Sequence, residues 1–91
     1  MSLKLEIVTP SKVFFSDKVD WVRVPGSNGS FAMLNRHLPI ISTLEPGLIK
    51  IVQQSNERYF EITEKAIVEH HDNHVTIIAT AIEEVHPIFV R

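Results

Sequence analysis

A chain of 91 residues with 44% hydrophobic and 22% charged side chains is one domain's worth of polypeptide and too apolar to stay disordered. Its formal net charge of −2, with no basic block, leaves no electrostatic footprint for nucleic acid or for an anionic membrane. The absence of cysteine removes disulfides, thiolate metal sites and a cysteine nucleophile, and no apolar run approaches the roughly 20 residues that span a bilayer.

The dominant apolar period is two. Leu3, Leu5 and Ile7 of LKLEI fall on one face of a first strand, which Thr9-Pro10 breaks. KVFFS is a second β-favouring run, closed by Ser16-Asp17-Lys18. VDWVRV reads as one strand, with Val22 and Val24 on one face and Trp21 and Arg23 on the other. Pro25-Gly26-Ser27-Asn28-Gly29 is a double turn signal. SFAML is a short strand, NRHLP a turn and IISTL another strand; Glu45-Pro46-Gly47 then suits a type I or II turn. LIKIVQQ, RYFEI, AIVEH and HVTIIATAI supply four more strands, separated by the turns SNE, TEK and HDN. Asn73 tolerates the left-handed backbone that a tight turn needs. Val75, Ile77 and Ala79 share one face of the last of these strands. EEVHPIFVR reads as an edge strand or a loose tail, because Pro87 does not belong in a central strand.

About ten short strands with a turn signal roughly every 8–10 residues predict an all-β fold. The expected architecture is a ten-stranded antiparallel β-sandwich, or flattened barrel, in one domain over 1–91. Residues 3–84 form its core and 85–91 the tail or edge strand.

Gly26 and Gly29 raise the possibility of a phosphate-cradling loop, but a β period follows them rather than a helix. Ala32 stands where a third glycine would fall, and no P-loop lysine comes after. Plain turn chemistry accounts for both glycines. HHDNH gathers His70, His71 and His74 around Asp72, and histidines with a carboxylate can hold zinc. On a strand His70 and His71 point to opposite faces, so two histidines and a carboxylate are the most that converge. The favoured reading is a polar hairpin tip; the alternative is a small β-sandwich module that binds a ligand or metal there. His37 sits in a turn beside the apolar LPII, which favours a contact surface. No serine lies in a G-x-S-x-G setting, and Glu83-Glu84 reads as a solvated end. No catalytic residue, cofactor or small-molecule substrate is expected.

The order LEIVTP, VFFS, VDWVRVPGSNGSFAMLNRHLPIISTLEPGLIKI and NHVTIIATAIE resembles the N-terminal β-sandwich domain of the epsilon subunit of rotary F-type ATP synthases. The matching positions are Pro25, Gly26 and Gly29, then His37 and Pro39, then Leu44, Pro46, Gly47 and Ile51. Val75, Thr76, Ile77, Thr80 and Ala81 match its closing strand. The resemblance covers Leu3 to about Glu84. It implies a non-catalytic subunit of the central stalk, bound to the gamma subunit and to the polar loops of the membrane c-ring, which couples proton flow to rotation and ATP synthesis. Carried over by position, Gly26, Ser27, Asn28, Gly29 and Ser30 would face the c-ring. Thr9, His37, Ser42 and Leu48 would lie toward gamma. The implied location is the cytoplasmic side of a bacterial inner membrane, peripheral to it and without direct insertion. Ala32, Asn35-Arg36, Ser30 and Glu64-Lys65 depart from the family pattern, which often carries glycine, Pro-Gly, an acid and Gly-Gly at those places. Longer members continue into a C-terminal helical hairpin that can inhibit rotation or sense ATP; the chain ends at Arg91, and neither role is expected of these 91 residues.

Overall fold

A computed structural model describes residues 3–87. Ten strands run in order: β1 (Leu3–Val8), β2 (Val13–Val19), β3 (Trp21–Val24), β4 (Phe31–Met33), β5 (Ile40–Leu44), β6 (Gly47–Gln53), β7 (Asn56–Ile62), β8 (Ala66–His71), β9 (His74–Ile78) and β10 (Ile82–Val85). They form two five-stranded sheets, β2-β1-β9-β8-β5 and β10-β7-β6-β3-β4. The fold is the expected all-β sandwich.

Alternation builds the core. Leu3, Leu5 and Ile7 of β1, Val75 and Ile77 of β9, and Ala66 and Val68 of β8 point inward from the first sheet. Val22, Val24, Met33, Ile49, Ile51, Phe60 and Ile62 meet them from the second. Phe14 and Phe15 of β2 both reach Phe60 of β7, with ring centroids 5.8 and 5.5 Å away. Adjacent residues ordinarily face opposite ways in a strand, and the exception has a visible cause. The β1–β2 ladder pairs Ile7 with Phe15 but Val8 with Val13, so Phe14 is the extra residue of a bulge.

Two segments predicted as single strands each change sheets. Val19 ends β2 in the first sheet and Trp21 starts β3 in the second. The corner is Asp20, whose N–H donates to the Val52 carbonyl at 2.7 Å and whose Oδ2 accepts the Gln54 N–H at 3.0 Å. HVTIIATAI likewise stops pairing in the first sheet at Ile78 and resumes in the second at Ile82. The Ala79 N–H still donates to the Val8 carbonyl at 3.0 Å before the chain crosses. Seven of the eight ladders between strands are antiparallel; against the expected all-antiparallel pairing, β1 and β9 pair in parallel, Lys4 opposite His74 through Val8 opposite Ile78.

Both tight hairpins turn through left-handed residues, as predicted at Asn73, while the β6–β7 turn falls one residue earlier than the expected SNE. Gln54 and Ser55 join β6 to β7 at φ 48° and 72°, and Asp72 and Asn73 join β8 to β9 at 53° and 59°. Two consecutive positive φ values match the right-handed twist of the strands they connect. β10 settles part of the ambiguous C-terminal stretch as an edge strand on β7, and Pro87 follows its end. The rest of the predicted tail, 88–91, lies outside the described residues. Glu84, expected as a solvated end, is instead a staple: Arg58 Nε and Nη2 donate to its two carboxylate oxygens at 2.9 Å each. That hydrogen bonding holds the Glu84 carboxyl below its ordinary value.

Candidate interaction surfaces

The 25–30 turn projects from one end of the sandwich, where β3 hands over to β4. Gly29 turns back through its N–H to the Gly26 carbonyl at 3.0 Å, with its own φ at 116°. Gly26 serves close approach. It is buried and bridges to Leu44, and a Cβ there would sit 2.7 Å from the Gly29 oxygen and 2.7 Å from Phe31 Cε1. Gly26→Ala is therefore expected to destabilise by about 1–3 kcal/mol, as an added methyl forces the backbone apart. Urea unfolding measures it, and an unchanged midpoint would contradict the close packing. The turn's root is fastened to the β5–β6 connection. Ser27 donates its N–H to the Thr43 carbonyl at 3.1 Å, and Glu45 donates its N–H to the Pro25 carbonyl at 2.8 Å. Asn28, Gly29 and Ser30 are exposed.

The other four predicted contact residues do not share one face. Thr9 lies in the β1–β2 turn, its N–H 2.9 Å from the Lys12 carbonyl. Ser42 is half-buried on edge strand β5, opposite Val68. Leu48 is on the outer side of β6 in the other sheet, opposite Glu61 and 45% exposed. His37 lies beyond β4, at the end of the sandwich away from the glycine turn. It is flanked there by the exposed Leu34 and Leu38. Its loop is pinned in two ways: the His37 N–H donates to the Leu34 carbonyl at 3.2 Å, and the Arg36 N–H donates to Asn73 Oδ1. Arg36 needs such a tie because it holds φ 67°, where its Cβ costs energy that glycine would avoid.

HHDNH divides between inside and outside. The turn is Asp72-Asn73, and His71 and His74 pair across it. His71 Nδ1 lies 3.3 Å from Asp72, and His74 Nε2 lies 2.9 Å from Glu6 on β1. His70 does not belong to the polar tip: it is 1% exposed, on the face of Ala66 and Val68. Its two ring nitrogens have no hydrogen-bond partner among the described residues, and the His37 ring lies 5.3 Å away. Burial first, then the neighbouring charges of His37 and His71, push His70 below the ordinary imidazole value. The three histidines therefore do not converge. Among the described residues no group of three or more His, Cys, Asp or Glu is placed to hold a metal.

Sequence reasoning missed one surface. On the outer side of the first sheet Ile67, Ile78, Val8 and Val13 stand opposite one another across β8, β9, β1 and β2. Ile67, Ile78 and Val13 are 44–58% exposed. The signal was present in β-branched residues at the solvent phase of the alternation, and only the pairing registers make them a row. A second missed feature is the Ser27 side chain, whose Oγ lies 2.7 Å from Thr43 Oγ1 and 2.8 Å from Glu45 Oε2.

Two five-stranded sheets packed face to face, with an end turn fastened between β3 and β4, define the class as a β-sandwich domain. The particular family follows from sequence: the chain belongs to the ATP synthase delta/epsilon chain β-sandwich domain family, whose model matches residues 2–85. It is 41% identical over 92 residues to the ATP synthase epsilon chain of Protochlamydia amoebophila, covering all of this chain and 62% of that one. It is 36% identical over 87 residues to the epsilon chain of Pelotomaculum thermopropionicum, covering 96% of this chain and 64% of that one. The chain thus spans just under two thirds of these relatives' length. In fold it is similar to a chain in the cryo-EM structure of the Euglena gracilis mitochondrial ATP synthase OSCP/F1/c-ring, with a TM-score of 0.85 at 14% identity. That match covers 91% of this chain and 53% of the other. A chain of the Tetrahymena thermophila mitochondrial ATP synthase central stalk and c-ring matches with a TM-score of 0.76 at 20% identity.

Proposed function

We propose that this chain is a central-stalk rotor subunit of an F-type ATP synthase. In this reading it binds the gamma subunit and the c-ring without catalysing a reaction itself, and so helps couple proton flow to ATP synthesis. The observation that carries the reading is the family match over 2–85, which takes in every strand of both sheets. Solved structures of similar fold come from ATP synthase assemblies that include the c-ring, which is consistent with it. The end turn Gly26–Ser30 would meet the ring's polar loops. Thr9, His37, Ser42 and Leu48 would lie toward gamma, and the exposed Leu34 and Leu38 beside His37 give that end apolar area to cover. The subunit would sit peripherally on the cytoplasmic side of a bacterial inner membrane, and no helix among the described residues is long and apolar enough to cross it.

Mixing the purified chain with the gamma subunit is expected to give a co-eluting complex at micromolar concentration. Ser30→Lys is expected to lower ATP-driven proton pumping while leaving the unfolding midpoint within about 0.5 kcal/mol of the parent, as for other exposed surface sites. Failure to co-elute would count against the gamma assignment, and full pumping in the variant enzyme against the ring assignment.

A further inference from the structure

We propose that Glu45 is the positioning residue for the 26–30 turn, its carboxylate setting through Ser27 the pose in which Asn28, Gly29 and Ser30 meet the c-ring. The proposal rests on the reading of that turn as ring-facing. Ser27 Oγ has three neighbours: Glu45 Oε2 at 2.8 Å, Thr43 Oγ1 at 2.7 Å and the Thr43 carbonyl at 3.3 Å. A serine hydroxyl carries a single proton and two acceptor lone pairs. The carboxylate is the strongest acceptor of the three, so Ser27 donates to Glu45 and accepts the Thr43 hydroxyl proton. The result is a directed chain from Thr43 to Ser27 to Glu45, in which each bond polarises the next. Lys65 Nζ stands 4.0 Å from the same Glu45 oxygen; at 75% side-chain exposure it contributes little on its own.

The main chain repeats the grip. The Ser27-to-Thr43 and Glu45-to-Pro25 backbone bonds flank the Gly26–Leu44 bridge, so the turn's root is held from the β5–β6 connection by side chain and backbone together. Past Ser27 the support thins. Inside the turn there is the Gly29-to-Gly26 bond, and the side chains of Asn28 and Ser30 make no bond to the described residues. The tip's pose is therefore inherited from Ser27, and Ser27's from Glu45 and Thr43. Ser27, Thr43 and the tip are exposed and Glu45 is half-buried, at the end of the sandwich and outside its core. Losing the carboxylate should loosen the turn and leave the sheets alone. A turn ordered before contact spares the partner that ordering cost, which is how a residue behind the turn acts on binding at its tip.

The test uses the isolated chain and the synthase assembled with gamma and the c-ring. In the isolated chain Glu45→Ala is expected to speed amide exchange at Ser27 and Gly29 by about tenfold, with β6 and β7 amides unchanged. In the assembled enzyme it should lower the ratio of proton pumping to ATP hydrolysis. Glu45→Gln, whose side-chain carbonyl still accepts from Ser27, should recover most of both effects. The double variant S27A/E45A should be no worse than the more impaired single, because the two residues act as one unit. Unchanged exchange in Glu45→Ala, or additive losses in the double variant, overturns the positioning role. Faster exchange with an unaltered pumping ratio overturns the ring-facing reading instead, and with it the functional half of the proposal.

Discussion

Alanine in place of Phe60 is expected to cost about 3–5 kcal/mol of folding free energy. Phe60 is 1% exposed, and it is the point where the two sheets grip each other through aromatic rings. From β7 it takes Phe14 and Phe15 of β2 edge-on, at interplanar angles of 79° and 61°. The Arg58 guanidinium lies 5.2 Å from the Phe15 ring and 5.6 Å from the Phe60 ring, while its fork holds Glu84. Removing the ring leaves Phe14 and Phe15 of β2 without their partner in β7, and a close-packed interior closes such a gap only in part. Small domains have only about 5–15 kcal/mol in total, so the variant would lose a large share of its stability. A lowered urea midpoint at constant slope is the expected signature. A loss under about 1 kcal/mol would mean that the site repacks.

The second large effect is expected at His70, and it depends on pH. The folded state holds His70 neutral, at a value pushed below the 6.5 that an unfolded chain would show. As pH falls through that unfolded value the unfolded state takes up a proton that the folded state does not, so stability falls with it. Above it His70 contributes no slope. His70→Leu should therefore flatten the stability profile between about pH 7.5 and 5.5. At pH 7.5 it should also leave the protein no less stable, and by up to about 1–3 kcal/mol more stable, because two buried nitrogens without partners are gone. Urea midpoints of parent and variant at the two pH values decide the matter. Parallel profiles would show that His70 is not the group responsible.

The period of two made nearly every inward residue legible, from Leu3, Leu5 and Ile7 to Val75, Ile77 and Ala79. It also carried clues that went unused. Val19 and Val22 are both buried although three residues apart, a slip of phase that only a change of sheet explains. His70 follows Ala66 and Val68 at steps of two, which already placed it inside while His71 fell outside. What was not legible is non-local. Nothing near Leu5 says that its parallel neighbour is Val75, and nothing near Ser27 says that Glu45 stands beside it. The turn glycines were read correctly as hardware, but the clamp behind them exists only because Gly26 bridges to Leu44.

The parallel β1–β9 pair has a consequence for the order in which the molecule is made. β1 is made before every other strand of the sandwich, yet it ends between β2 and β9 inside its sheet. β2 arrives at once and closes one flank. The other flank stays unpaired until His74–Ile78 has emerged, with most of the chain already outside. The nascent sandwich therefore carries an open strand edge through most of the domain's synthesis, and open edges recruit strands from other chains. Closure is long-range, so folding belongs to the millisecond-to-second range of non-local β proteins. A holdase that shields the Leu3–Val8 edge would raise the soluble yield more than one that acts on the finished domain.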